Sequence, residues 1–178
     1  HLPLFYKQYQ STWPKKILVE YQIKNTEIAG VPVTGTIDRI DFAPKSQSVQ
    51  LVDYKTGRPS SSRFRKITES NPHGGLYRRQ LIFYKLLYES AQKEFFARGG
   101  TIAYFEPDYQ GTFTEKSVDF AAQEVVQVRE LIKDSYQKIR DHDFYEGCGK
   151  ENCKWCSFVK NNVMTDSFRD EEAEALDD

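Results

Sequence analysis

The sequence predicts a mixed α/β fold, in which a central sheet carries helices on its faces. Three apolar segments with strand-like alternation occupy the first third of the chain, and a segment with apolar residues at helical spacing follows them. Another strand and another long helix come after it, an order that favours a mixed sheet. At 178 residues the chain is long enough for one domain, and its 12 Phe and 11 Tyr can supply an aromatic-rich core.

The predicted elements are separated by turn residues or by polar segments. In chain order they are a short helix at 2–14, strands at 16–30, 31–44 and 48–57, a long loop at 58–75, a helix at 76–95 that ends at the Gly99-Gly100 pair, a strand at 101–107, a short edge strand at 110–119 and an amphipathic helix at 120–144. The loop at 58–75 is longer than most, and loops of that length are often functional.

Composition changes along the chain suggest four parts. We expect residues 1–15 to be the end of an upstream element, residues 16–144 to be the folded core, residues 145–168 to form a cysteine-containing segment, and residues 169–178 to be a disordered acidic tail. The first residue is His rather than Met, which predicts a fragment of a longer protein.

The distribution of charge predicts a polyanionic partner. Residues 54–88 contain eight Lys or Arg and one acid, although the whole chain has a net charge of −1. A basic segment of this kind is often a solvated surface, but it is also typical of nucleic-acid binding. No apolar run reaches the roughly 20 residues of a membrane span, and no signal peptide is visible. We therefore expect no membrane association and a cytoplasmic protein.

A pair of carboxylates is the strongest candidate site. In VDYKTG, Asp53 and Lys55 share one face of a strand, because side chains alternate along it. The preceding hairpin could bring Asp38 of GTIDRID next to Asp53, and two adjacent carboxylates favour a cation between them. A divalent ion there could activate water, and Lys55 could orient that water or stabilise charge. An ordinary surface ion pair is the alternative.

A second ion pair is predicted on the other face of the same strand. Ile37, Arg39 and Asp41 alternate with Asp38 along the strand and therefore lie on the opposite face. We expect Arg39 and Asp41 to form a structural ion pair.

Three motifs in order, GTIDRID, VDYKTG and RRQLIFYKLL, resemble those of the PD-(D/E)XK nucleases. More narrowly, they are similar to the RecB-like nuclease domains at the C-terminus of UvrD-type helicases. The resemblance implies a restriction-endonuclease-like core, with Asp38, Asp53 and the Tyr54 backbone carbonyl at a metal ion and Lys55 as a catalytic residue. Gln80 and Tyr84 match its Q-x-x-x-Y helix motif, in which the Gln packs against the catalytic strand or contacts DNA.

The resemblance also implies a function in DNA end processing, repair and recombination. It predicts a magnesium-dependent deoxyribonuclease, an exonuclease rather than an endonuclease, with manganese as a substitute ion and with helicase domains as partners. The predicted DNA-binding residues are Arg58, Arg63, Arg65, Lys66, Arg78, Arg79 and Tyr84. Two alternatives stay open: a catalytically inactive DNA-binding module of a helicase, and a nuclease of the CRISPR-adaptation type.

Two departures from the family pattern concern metal ligands. The family usually has an upstream His or Glu at the metal; here only His1 and Glu20 are candidates, so we expect the ligand to lie outside this sequence. Cys148, Cys153 and Cys156 have C-x4-C-x2-C spacing, which suits zinc or an iron–sulfur cluster. Some RecB-like nucleases carry a four-cysteine cluster, but the matching fourth position here is Asn162. We therefore expect a degenerate site with reduced thiols.

Overall fold

The structure is a computed structural model that describes residues 1–143, 153, 154, 156 and 157. The elements in chain order are α1 (Leu2–Tyr9), β1 (Ile17–Ile28), β2 (Val31–Phe42), β3 (Ser48–Lys55), a 3-10 helix (Ser61–Phe64), α2 (Leu76–Ala91), β4 (Phe96–Tyr104), β5 (Glu115–Asp119) and α3 (Ala122–Arg140). The chain divides into two compact units, residues 1–134 and 135–178. Residues 1–15, which the sequence analysis set apart, belong to the first unit.

The five strands form one sheet in the order β1-β2-β3-β4-β5. The β3–β4 pair is parallel and the other three pairs are antiparallel, so α2 belongs to the crossover between β3 and β4. The predicted mixed sheet flanked by helices is thereby confirmed.

Each face of the sheet packs against a different helix. Leu51 of β3 is fully buried in a cluster with Ile82 and Leu87 of α2. On the other face, Phe5 of α1 is buried against Val52 of β3. Because side chains alternate along β3, its odd-numbered residues face α2 and its even-numbered residues face α1. The sheet therefore presents Asp53 and Lys55 to α2.

The regular alternation of β2 is interrupted around Asp38. Ile37 and Ile40 both belong to the core cluster under α2. Arg39, by contrast, lies over the ring of Trp13. The β1–β2 register runs from Val19–Arg39 to Tyr21–Ile37, and the β1 residue between these pairs, Glu20, has a left-handed φ of 48°. The prediction that Ile37 shares the face of Arg39 was wrong, because Ile37 lies with Ile40 in the core cluster.

The predicted helix end at Gly99-Gly100 was also wrong. Helix α2 ends at Ala91, and β4 already begins at Phe96. Gly100 lies inside that strand, where an added Cβ would be 2.8 Å from the Leu81 side chain. The glycine therefore allows α2 to approach the sheet closely, and it does not cap the helix.

A buried ion pair joins α2 to the start of α3. Arg78 donates two hydrogen bonds of 2.6 Å to Glu124 and a third, of 3.1 Å, to the carbonyl of Asp119. Glu124 also accepts a bond from the backbone N–H of Ile67. Only 7% of Arg78 is exposed. Nε and Nη2 of Arg78 are therefore bonded inside the protein, and its predicted contact with DNA stays a prediction.

This ion pair predicts a loss of stability in acid. Burial opposes ionisation of Glu124, but its bonds from Arg78 and Ile67 prevail and hold the pKa of its carboxyl below the ordinary value of 4.5. The stabilisation is therefore complete above pH 4.5 and disappears as the pH falls through the lower pKa of the folded state. We expect urea midpoints of the wild type to fall over that range. In Glu124→Gln this component should be absent, and parallel pH profiles of the two proteins would contradict the assignment.

Among the described residues, α3 and the other helices are all too short or too polar to cross a bilayer.

Candidate active site

Strands β2 and β3 stop pairing where the two predicted carboxylates, Asp38 and Asp53, meet. We call this place the opening between β2 and β3. The β2–β3 ladder ends at the Arg39–Val52 pair, and continuing its register would place Asp38 opposite Asp53. Instead of a β2 carbonyl, the Asp38 carboxylate accepts the Tyr54 N–H, at 2.8 Å. The N–H and C=O of a strand residue point to the same side, so the Tyr54 carbonyl is also directed toward this opening. That direction is compatible with its predicted role at a metal ion.

Asp53 is 2% exposed and is held by donors from α2. Its Oδ1 accepts hydrogen bonds from Gln80 Nε2 at 3.0 Å and from the Tyr84 hydroxyl at 3.2 Å. Gln80 also donates to the Tyr84 oxygen, at 3.0 Å. The i, i+4 spacing places both side chains on one helix face, as the sequence indicated. Tyr84, which was predicted to contact DNA, instead orients the candidate metal ligand.

The second oxygen of Asp53 faces Lys55. Lys55 Nζ lies 2.6 Å from Asp53 Oδ2, so the ammonium is in direct ion-pair contact with this buried oxygen. About a quarter of the Lys55 side chain is exposed. Because the Lys55 side chain reaches solvent, it can turn away from Asp53, and another cation can then take its place beside the carboxylate.

The environment sets the protonation of both Asp53 and its tyrosine donor. Burial raises the pKa of Asp53; contact with Lys55 opposes this, and the charge of Asp38 adds to it. Burial, together with the charge of Asp53, raises the pKa of Tyr84 to about 12. Tyr84 therefore remains a hydroxyl donor near neutral pH. For Asp53, the effect of burial on the pKa therefore outweighs the opposing effect of Lys55.

The residues at this opening fit a hard divalent cation. They offer two carboxylates and a backbone carbonyl, and magnesium prefers oxygen ligands and retains several waters. Within the described part of the chain, no group of three or more His, Cys, Asp or Glu residues is placed to hold a metal. His1 precedes α1, on the opposite face of the sheet from Asp53, and Glu20 lies in β1 between the residues that pair with Arg39 and Ile37.

The predicted basic residues separate into different environments. Arg58, Arg63, Arg65 and Lys66 are exposed, and Arg79 is half-buried with a bond to the carbonyl of His73. The Arg39–Asp41 ion pair, at 2.8 Å, is confirmed.

The cysteines are only partly described by the structure. Cys153 and Cys156 are half-buried, and Cys148 lies outside the described residues. The cysteine site therefore stays a prediction.

Sequence reasoning missed the aromatic residues around Lys55. The ring of Tyr77 lies 5.4 Å from Lys55 Nζ, and Tyr104 is the neighbour of Lys55 in the parallel register of β3 and β4. Interleaved aromatic and basic residues in LYRRQ were the available signal for Tyr77. Tyr104 had none, because its position depends on the crossover through α2.

The contacts of Asp53 predict that Gln80 matters for metal affinity. We expect Gln80→Ala to lower manganese affinity and cleavage rate about 10- to 100-fold, since it removes a donor that orients a ligand. Tyr84→Phe should have a smaller effect. Calorimetric titration and initial rates would measure these changes, with Gln22→Ala, an exposed glutamine of β1, as the control. Equal behaviour of the Gln80 and Gln22 variants would refute this role.

The chain is similar in sequence or in structure to several known proteins. The profile of the PD-(D/E)XK nuclease superfamily matches residues 5–160. A protein from Eubacterium rectale, provisionally described as an exonuclease, has a similar solved structure: the TM-score is 0.54 at 12% identity, over 92% of this chain and 59% of that one. The crystal structure of SSO0001 also matches, with a TM-score of 0.42 and 16% identity, over 79% of this chain and 55% of that one.

The match to the Eubacterium rectale protein bears on the fold alone, and the chain spans less than two thirds of either protein. Comparison with curated protein sequences gives no significant match. The family profile, however, covers most of the chain and includes all three motifs. The chain therefore belongs to the PD-(D/E)XK nuclease superfamily.

Proposed function

We propose that this chain is a magnesium-dependent DNA nuclease domain, of the exonuclease type, that hydrolyses phosphodiester bonds at the opening between β2 and β3. The observation that carries the proposal is the meeting of Asp38, Asp53 and Lys55 at one point of the sheet. An inactive binding module would have no need to retain a lysine beside a carboxyl whose pKa is raised by burial.

The roles of the residues follow from their contacts. Asp38 and Asp53 would hold the cation, with the Tyr54 carbonyl, while Gln80 and Tyr84 keep Asp53 in its rotamer. A bound divalent cation would supply an activated water and would stabilise charge on the phosphoryl oxygens. The Lys55 ammonium would donate a hydrogen bond to the attacking water or to a phosphoryl oxygen.

The basic surface would bind the substrate. The segment that follows β3 in the sequence carries four exposed basic residues, Arg58, Arg63, Arg65 and Lys66. Their charge therefore lies on the segment that begins at the candidate site. Phosphate contacts of this kind contribute affinity without sequence specificity, which suits a nuclease that removes successive nucleotides. A parent helicase that feeds unwound DNA to the site is the context that the RecB-like motifs suggest.

Cleavage of topologically distinct DNA substrates tests this function. Linear duplexes and single strands carrying a label at either end would be compared with covalently closed circles, in magnesium, in manganese and in chelator. We expect metal-dependent release of short products from the linear substrates and no cleavage of the circles. Lys55→Ala should lose at least about 10²-fold in rate. Cleavage of the circles at the same rate would contradict the exonuclease type, and cleavage in chelator would contradict the metal dependence.

A further inference from the structure

One aromatic ring lies between the candidate catalytic lysine and a neighbouring arginine. The Tyr77 ring centroid is 5.4 Å from Lys55 Nζ and 4.9 Å from Arg63 Cζ. Arg63 also donates a hydrogen bond to the Tyr77 hydroxyl. Tyr77 is only 5% exposed, so its ring is a fixed support for both cations.

The charge of Arg63 has no acidic partner in the part of the chain that the structure describes. Within the described residues, no carboxylate lies within 4.0 Å of its guanidinium; the ion pairs involve other cations. Arg63 is nevertheless exposed and oriented by its bond to Tyr77. A guanidinium that is oriented by an aromatic ring, rather than by an acid, keeps its remaining donors for an anion.

The backbone that carries Arg63 is fixed against α2. The Gly75 N–H donates to the carbonyl of Arg65 at 2.8 Å. A Cβ at Gly75 would lie only 2.3 Å from the Arg63 carbonyl, so only glycine permits this approach. The long segment predicted as a loop thus contains a 3-10 helix, Ser61–Phe64, which is docked at the start of α2.

A buried hydroxyl lies beside these residues. Tyr104 is fully buried; the Ser60 backbone interacts with its hydroxyl oxygen, and among the described residues its O–H has no acceptor. It lies within electrostatic reach of Tyr77, Arg63 and Asp53, and burial raises its pKa, so it remains a donor near neutral pH. A buried donor without an acceptor is costly, and such groups often mark a place where a ligand or water binds.

We propose that Arg63 binds the phosphate next to the one that is cleaved, and that Tyr77 is a positioning residue that holds Arg63 and Lys55 at a fixed separation. The ligand is a backbone phosphate of a nucleic-acid strand. This inference rests on the proposed nuclease function and deepens it, because it assigns the direction in which the strand leaves the candidate metal site. A second arginine is placed on an aromatic ring in the same way: Arg58 Cζ lies 4.3 Å from the ring centroid of the exposed Tyr109.

Salt-dependent binding tests the role of Arg63 without requiring cleavage. A fluorescent single-stranded oligonucleotide would be titrated in chelator between about 50 and 200 mM salt. Each phosphate contact to a single strand contributes about 0.7 to the slope of log affinity against log salt. We expect Arg63→Gln to reduce that slope by about 0.7 and to weaken binding about tenfold. The control is Arg98→Gln, an exposed arginine in the first half of β4, away from Tyr104; it should keep the wild-type slope.

Steady-state cleavage tests the role of Tyr77. Arg63→Gln should raise KM and leave kcat nearly unchanged, because it removes a uniform binding contact. Tyr77→Leu should raise KM and also lower kcat, since Lys55 loses its support. Tyr77→Phe keeps the ring and should retain kcat, which provides a conservative rescue even if the leucine variant does not fold. A loss of kcat in Tyr77→Phe equal to that in Tyr77→Leu would overturn the positioning role.

The two proposals fail in different ways. An unchanged salt slope in Arg63→Gln, with normal metal-dependent cleavage by the wild type, would overturn the phosphate site and leave the nuclease function intact. Absence of cleavage by the wild type, with the slope reduced in Arg63→Gln, would overturn the nuclease function and support the phosphate site. Absence of any nucleic-acid binding by the wild type would overturn both.

Discussion

Replacing Asp53 by Asn is expected to abolish metal-dependent cleavage and to leave the folded state as stable as the wild type, or more stable. The expected loss of rate is about 10³-fold, since a metal ligand at the reacting phosphate is removed. Stability is retained because burial raises the pKa of Asp53, so the fold favours a neutral side chain there. The stabilisation linked to this raised pKa is present below the ordinary Asp value and is lost as the pH rises through the folded-state pKa.

Thermal melting and calorimetric manganese titration, both near neutral pH, would measure these effects. Asn keeps an acceptor for Gln80 and Tyr84, and Lys55 can turn toward solvent. The control is Asp134→Asn, an exposed acid on α3, which should change neither property. A large loss of melting temperature in Asp53→Asn would show that the carboxylate is structural. Undiminished manganese binding by this variant would show that the metal site lies elsewhere.

Replacing Arg78 by Ala is expected to destabilise the protein by about 3–5 kcal/mol, because it leaves the Glu124 carboxylate buried without its partner. The remaining bond to Glu124, from the Ile67 N–H, cannot replace the two bonds from the guanidinium. The loss is a large fraction of the roughly 5–15 kcal/mol that stabilises a typical domain. Urea unfolding would measure it.

Two further variants test whether the stability comes from the ion pair. Arg79→Ala, at the adjacent and less buried position, should cost less than about 1 kcal/mol. The double variant Arg78→Met, Glu124→Leu should recover most of the lost stability, because apolar residues of similar size remove both charges together. If Arg78→Ala unfolds at the same urea concentration as Arg79→Ala, then the ion pair does not stabilise the fold.

The parts of the site that were predictable from the sequence depend on short-range geometry. Asp53 and Lys55 share a face because strands have a period of two, and Gln80 and Tyr84 share a face because helices bring i and i+4 together. The meeting of Asp38 with Asp53 required only a hairpin between neighbouring strands. These arrangements follow from local periodicity, and the structure brings all five residues together.

The features that could not be predicted depend on residues distant in sequence. Arg78 looked like its exposed neighbours in the basic segment, and only the fold places Glu124, 46 positions away, against it. The glycine at 100 resembled a helix end, but the packing of Leu81 determines its role. Tyr104 reaches the side of Lys55 through the parallel pairing of β3 and β4, which no local pattern encodes.

The initial rate of magnesium-dependent cleavage of end-labelled linear DNA, compared between the wild type and Asp38→Asn, tests the central claim most directly. Asp38 is only half-buried, and its carboxylate accepts a bond from the Tyr54 N–H, which the Asn oxygen can still accept. We therefore expect the variant to fold normally and to lose about 10²- to 10³-fold in rate, while Asp134→Asn keeps the wild-type rate. Wild-type cleavage by Asp38→Asn would contradict a metal-dependent site at the opening between β2 and β3.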